Sequence, residues 1–296
     1  MKRGIEEITI TILADGKVDL SEYLGEAGFS ALVDIVYDDS SKKRILFDTA
    51  SSTPALRHNL RIAEVDPTTI EMIVLSHGHW DHVGGVMEIL NMIGKQTPVL
   101  CHPQALSPKI IQDKAGKEHQ IGIHNYFKLS ELENRTDVIT STEPYTITTG
   151  VMTTGEVPRT NDFEKLTGRL TEIQTLKDGK RIPDLIDDDL SLAFHLKDDS
   201  IVILAGCCHS GIVNTAKHVS NLISSRSITG IVGGLHLHDA SKERLSKTVE
   251  HLSKYPLTTL APCHCTGLKG QAALMYGFES IFKSIGAGSV LKFIAH

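Results

Sequence analysis

The chain lacks a long apolar run. No stretch of its 296 residues approaches the length needed to cross a bilayer, and the opening MKRGIEEITITI holds no signal-peptide core. Those absences point to a cytoplasmic protein. Positive charge is not in surplus either: 30 Lys and Arg stand against 36 Asp and Glu, a formal net charge of −6, with a pI near 6.2. That balance gives no global electrostatic footprint for nucleic acid or an anionic membrane, so an anionic substrate must be met by local charge or by a metal. Cysteine is odd in number at five, and Cys207, Cys208, Cys263 and Cys265 flank His209 and His264. Such clusters suggest reduced thiols near a metal more than a disulfide framework. No repeat of the amino acids is visible. What the chain does have is 41 % hydrophobic residues, enough for a substantial core, and residues 1–296 are read as one globular domain.

The stretch that the rest serves is MIVLSHGHWDHVGG, Met72 to Gly85. Four apolar residues are short enough for a buried strand, so the polar cluster starts where that strand stops. Val83, Val86, Met87, Leu90 and Ile93 then recur at helical spacing, and Gly94 suits a C-terminal cap. The cluster therefore lies in a strand-to-helix loop, the place where open α/β sheets bind ligands. His77 and His79, two apart in extended chain, point the same way, while Asp81 and His82 follow as the chain turns and face a second point. One loop can thus serve two adjacent ions. Imidazole with carboxylate suits Zn, Fe or Mn better than the all-oxygen shells of Ca or Mg, and two divalent ions, zinc foremost, are the expected cofactors.

Other segments repeat this logic. Ile8, Ile10 and Ile12 alternate with Thr as in a half-buried strand near a sheet edge, and Ala31–Tyr37 and Arg44–Phe47 read as a hairpin around a polar turn. Ile201–Ala205 is another buried strand running straight into Gly206-Cys207-Cys208-His209-Ser210-Gly211 and a helix, the layout of the first loop again. His209 is the strongest ligand candidate outside that loop. Ser210, Asn214 and the helix N-terminus offer N–H groups for a phosphate. Cys207 and Cys208 are either thiolate ligands or free buried thiols. A strand over Gly230–Leu235 ends in His236, a general acid or substrate contact. A last strand, Leu257–Ala261, ends in Cys263-His264-Cys265. Residues 104–136 read as a loop-rich insertion whose cations, Lys109, Lys114, Lys117 and His119, either greet an anion or form a solvated flap. The Asp187-Asp188-Asp189 run reads as a solvated turn.

HGHWDH resembles the HxHxDH signature of the metallo-β-lactamase fold. ILFDTASS, TTGEVPRTNDFE, LAGCCHSGIVNT, GGLHL and PCHCTG follow in the order of a subfamily typified by a dihydropteroate-type synthase of methanopterin biosynthesis. The resemblance implies an α/β (α+β) fold, the four-layer αββα sandwich, and makes His264 the last histidine ligand. It also implies that Asp48 supports the metal loop by hydrogen bonding, although a strand-terminal Asp can simply cap a turn. Where relatives often place a middle ligand histidine this chain has Glu156, leaving the third ligand of the first ion open. Glu156 is then a ligand or a substrate contact, with Arg159 forked onto a phosphate or carboxylate, or the two form a surface pair.

The activity implied is transfer or hydrolysis on a phosphorylated or pyrophosphorylated small molecule. His77, His79, Asp81, His82, His209 and His264 would hold the metals; Asp81 and His236 would do the chemistry. No nucleic-acid or membrane partner is implied, and a homo-oligomer is compatible. The rival reading is a non-catalytic or redox-sensing metal protein of the same fold.

Overall fold

The computed structural model describes residues 3–177 and 179–296. Alternating Ile and Thr give β1 (Ile5–Ala14), which pairs antiparallel with β2 (Ser30–Tyr37), and β2 closes a hairpin with β3 (Lys42–Phe47). Helix α1 (Thr53–Ile62) crosses over to β4 (Met72–Val74), parallel to β3. The motif loop follows, wound into the short α2 (Trp80–Val83). Then comes α3 (Val86–Ile93), ended by Gly94 at φ 71°, a left-handed cap that only glycine adopts without strain. Next is β5 (Val99–Cys101), parallel to β4.

Residues 104–136 hold more regular structure than a loop. They carry the hairpin β6 (Lys109–Gln112) and β7 (Glu118–Gln120), then α4 (Leu129–Arg135), leading to β8 (Val138–Thr140) beside β5. After β9 (Thr146–Thr148) and β10 (Val151–Thr153) comes a second hairpin, β11 (Gln174–Lys177) and β12 (Lys180–Pro183); β11 pairs with β6. The hairpins complete each other's pairing across some sixty residues of chain, so neither looks like a sheet on its own. Together they make a small sheet of order β12-β11-β6-β7.

The chain ends with β13 (Ser191–His195), β14 (Ile201–Ala205), α5 (Ile212–Ile223), β15 (Ile228–Gly234), α6 (Lys242–Leu252), β16 (Thr259–Cys263), α7 (Gly267–Gly277) and β17 (Val290–Ile294). Two main sheets result among the described residues, β17-β1-β2-β3-β4-β5-β8 and β16-β15-β14-β13-β10-β9. Their facing sides share one apolar layer: Ile8, Ile10, Val33, Phe47 and Val74 of the first meet Leu192, Phe194, Val202, Leu204 and Val232 of the second. Outside, Leu56, Leu60, Val86, Ile89 and Leu90 of α1 and α3 cover the first sheet, and Ile212, Ala216, Val219, Leu252 and Leu274 of α5, α6 and α7 cover the second. This is the αββα layering. Because β3-β4-β5 and β14-β15-β16 are parallel runs, their carboxyl ends gather at one edge of the sandwich.

Candidate metal centre

At that edge, four strand ends turn sharply through left-handed backbone on residues other than glycine: Asp48 after β3 (φ 60°), Cys208 after β14 (58°), His236 after β15 (43°) and His264 after β16 (49°). Such conformations persist only where the surroundings hold them, and they collect at functional sites. Two glycines allow the close approach. A Cβ on Gly78 would fall 2.4 Å from the Ala105 carbonyl oxygen, and one on Gly206 would fall 2.3 Å from Ser76 Oγ.

The ring nitrogens assemble as two sets. In the first, His77 Nε2 stands 2.9 Å from His79 Nδ1 and 3.2 Å from His209 Nε2. Burial pushes all three imidazoles down, His79 to about 3, with neighbouring imidazoles adding to it for His77 and His209 and the Lys109 charge for His79. They are neutral at physiological pH. In the second set Asp81, His82 and His264 converge: His82 Nε2 is 3.2 Å from His264 Nε2, and Asp81 Oδ2 is 3.6 Å from His264 Nε2 and 3.9 Å from His82 Nε2. Burial disfavours charge on His82 too, but Asp48 and Asp81 overcome it and raise the ring to about 9. Asp48 is fully buried; it accepts from His82 Nδ1, Ser76 N and Ser76 Oγ, each at 2.7 Å, and so fixes the tautomer that turns His82 Nε2 toward His264.

These donors fit a pair of ions. His77 Nε2 meets a nitrogen of His79 at 2.9 Å and of His209 at 3.2 Å, close to the spacing of atoms each about 2.0–2.1 Å from one zinc. The ring nitrogens of His79 and His209 on the far side from this cluster, Nε2 and Nδ1, and His236 Nε2 are buried without a hydrogen-bond partner, which is costly. In the second set, the carboxylate–imidazole pairing is the usual support of a metal-binding histidine.

Between the sets lies Cys207, whose Sγ is 3.2 Å from Cys265 Sγ and 3.9 Å from His236 Nδ1. Burial raises the Cys207 thiol well above the ordinary range. Burial would raise Cys265 as well, but the Cys207 hydrogen bond and the nearby His264 and His236 hold it well below. Cys208 turns away and places its sulfur 3.4 Å from Thr215 Oγ1, among the residues under α5.

Other expectations land elsewhere. Glu156 reaches His102 Nε2 at 3.1 Å, and both line a separate cavity of about 430 Å³ rather than the one faced by the histidine sets. It is His209, not Glu156, that lies beside His77 and His79. Arg159 spends its guanidinium on Asp187 Oδ1 (2.9 Å) and the Leu185 carbonyl (2.7 Å). The α5 N-terminus is filled from within the chain: Glu164, buried, accepts from Val213 N at 2.9 Å and Asn214 N at 2.8 Å. Ser210 N donates to Asp189 Oδ2 (2.9 Å), and Asn214 Oδ1 accepts from Thr160 N and Asn161 Nδ2. The Ser210, Val213 and Asn214 N–H groups are thus taken up within the chain and are not free for a phosphate.

The acidic run is likewise not a solvated turn. Asp188 and Asp189 are buried. Asp188 accepts from Gly78 N (2.8 Å) with one oxygen and from Lys109 Nζ (3.0 Å) with the other; Lys109, fully buried, also reaches Asp184 at 2.7 Å. The Lys109 charge is thus neutralised inside the protein and greets no ligand. Lys109 lay in the segment marked for its charges, but nothing local marks Asp184 and Asp188 as its partners.

Both ligand sets open on a cavity of about 580 Å³. Its polar lining includes His79, Asp81, Cys207, His209, His236 and His264; its apolar lining is Trp80, Ile111, Ile121, Leu170 and Ile173, and Arg169 adds a cation. Sequence reasoning missed this apolar lining because the small sheet and the turn before β11 supply most of it.

This arrangement is that of the metallo-β-lactamase superfamily, and the chain belongs to it: the family model of that name matches residues 26–99. Among proteins it is similar to is the 7,8-dihydropterin-6-methyl-4-(β-D-ribofuranosyl)-aminobenzene-5'-phosphate synthase of Methanocaldococcus jannaschii, 29% identical, with 98% of each chain covered. An uncharacterized protein of the same organism is 31% identical over 94% of this chain and 98% of its own length. A solved metal-dependent hydrolase of the β-lactamase superfamily superposes with a TM-score of 0.80 at 25% identity, covering 97% of this chain and 99% of that one. Among the described residues no helix is long and apolar enough to cross a membrane.

Proposed function

We propose that the protein is a two-metal enzyme, zinc being the ion best suited to its donors, that acts on a phosphorylated or pyrophosphorylated small molecule by transfer or hydrolysis. The observation that carries this reading is the pair of buried histidine and carboxylate sets opening on one cavity whose lining also holds Trp80, Leu170 and Ile173. His77, His79 and His209 would hold one ion and Asp81, His82 and His264 the other. A bound pair supplies Lewis acidity toward phosphoryl oxygen and lowers the pKa of a bound water toward neutrality.

The chain's own groups do the rest. The Asp81 carboxylate, held below the usual range by His82 and His264 against the effect of burial, stays ionised and can orient a nucleophile by accepting its proton. His236 lines the same cavity with Nε2 free. Burial lowers its basicity, yet the Cys265 hydrogen bond raises it overall, so it can hold a proton for a leaving oxygen. Trp80, Leu170 and Ile173 offer apolar lining to the organic part of the substrate, and Arg169 a cation.

The likeness to the methanopterin-pathway synthase supports transfer of a pterin-methyl group from a pyrophosphate ester to an aminobenzene ribofuranosyl phosphate. Incubating zinc-loaded protein with both compounds tests it. The joined product with release of pyrophosphate is expected; phosphate released from simple esters without joined product leaves the hydrolase. One observation, the 3.2 Å approach of Cys207 and Cys265, favours the alternative of a redox-sensing metal protein. Two ions per chain with turnover of either kind would exclude it.

A further inference from the structure

We infer that Cys207 is a thiolate ligand shared between the two metal positions, a role that rests on the two-ion reading above. Cys207 Sγ falls within 4.8 Å of ligand atoms of His77 and His82 together, of His209 and His236 together, and of His264 and Cys265 together. It therefore keeps company with both sets at once, whereas His79 groups with His77 and His209, and Asp81 groups with His82 and His264.

The local sequence explains why this cysteine, and not its neighbour, sits there. β14 delivers the chain to Gly206, and the missing Cβ lets the backbone pass against Ser76 and Asp48, directly beneath the motif loop. Cys207 then faces the loop. Cys208 adopts φ 58° and carries its sulfur to the opposite side, onto Thr215 at 3.4 Å. One thiol is thus committed to packing and the other to the space between the imidazoles. A metal held by either set would find the Cys207 sulfur beside its imidazoles and would release the S–H proton to solvent.

The choice of element matters for the ions accepted. A sulfur between the sites selects Zn, Fe or Co over the harder Mg and Mn, which prefer oxygen. The chain with its five cysteines thereby gains a metal preference that its histidines and Asp81 alone would leave open.

X-ray absorption at the zinc edge of the zinc-loaded full chain tests the inference. A sulfur shell at about 2.3 Å is expected, persisting in Cys208→Ser and Cys265→Ser and vanishing in Cys207→Ser. Cobalt-loaded wild-type protein, which needs no variant, should show near-ultraviolet thiolate-to-cobalt absorption. Two ions per chain with only nitrogen and oxygen scatterers would overturn the shared thiolate and leave the two-ion reading standing. So would a sulfur shell that survives Cys207→Ser and disappears in Cys265→Ser. A chain that binds no zinc or cobalt would overturn both.

Discussion

The two ligand sets stand side by side at the same strand ends, yet they are built on opposite electrostatic plans. The first is three imidazoles kept neutral by burial, with ring atoms left unpartnered. The second is rich in carboxylate, and Asp48 and Asp81 draw a proton onto His82. Their supports differ too. Behind the first lies Lys109, reaching through Asp188 to the amide of Gly78. Behind the second lies Asp48, braced by Ser76. The first set is therefore ready for a cation as it stands, whereas the second must exchange a proton for one. An ion should enter the first position more readily in acid and the second increasingly as pH rises.

Removing the Lys109 support should have the largest effect. Lys109→Met keeps most of the side-chain volume and leaves two buried carboxylates, Asp184 and Asp188, without their cation. Breaking a buried pair in this way costs about 3–5 kcal/mol. Denaturant unfolding of the metal-free variant measures the loss, and Asp188, without the Lys109 charge that holds it down, should then lift toward protonation and soften the Gly78 anchor. Unchanged stability would show that the triad is not what holds the first set. Asp48→Asn probes the other side and should act on metal more than on folding. With the carboxylate gone from His82 Nδ1, affinity for the second ion should fall about 10–100-fold while the first ion stays bound, as a competitive chelator titration would show. Equal loss of both ions would erase the contrast between the sets.

That contrast is only partly written in the local sequence. The strand, motif loop and helix over 72–94 were legible because period, polarity and the Gly94 cap agree within one short window. The motif repeats its layout at 201–223, which is why His209 stood out. What was hidden depends on partners far along the chain. Asp187-Asp188-Asp189 looks like solvent-facing charge until Arg159, Lys109 and the Ser210 amide take one acid each. The α5 N-terminus looks like an anion site until Glu164 arrives from an irregular segment. Glu156 drew attention by its place in the family's order, but the turn after β10 carries it to His102. The small sheet joins strands of three and four residues, too short for any period to declare.

The smallest effect, per unit of pH, is also the one that separates the sets most directly. A histidine held at about 3 in the folded chain, as His79 is, stays neutral while the unfolded chain takes up a proton below about 6.5. Its contribution is intact above that point and drains away as pH falls from 6.5 toward 3. His82 behaves in reverse: raised to about 9, it keeps a proton that the unfolded chain gives up. Its contribution is complete below 6.5 and is lost as pH rises from 6.5 to 9. Each slope is at most about 1.4 kcal/mol per pH unit for one proton. Stability of the metal-free protein should therefore fall on both sides of pH 6.5. Asp48→Asn should flatten the alkaline limb and leave the acid limb alone. Zinc at saturation should abolish the alkaline limb, because a coordinated His82 no longer carries the proton. An alkaline limb that persists unchanged in Asp48→Asn would show that Asp48 is not what holds the His82 proton and would trace the slope to Asp81 or to His236.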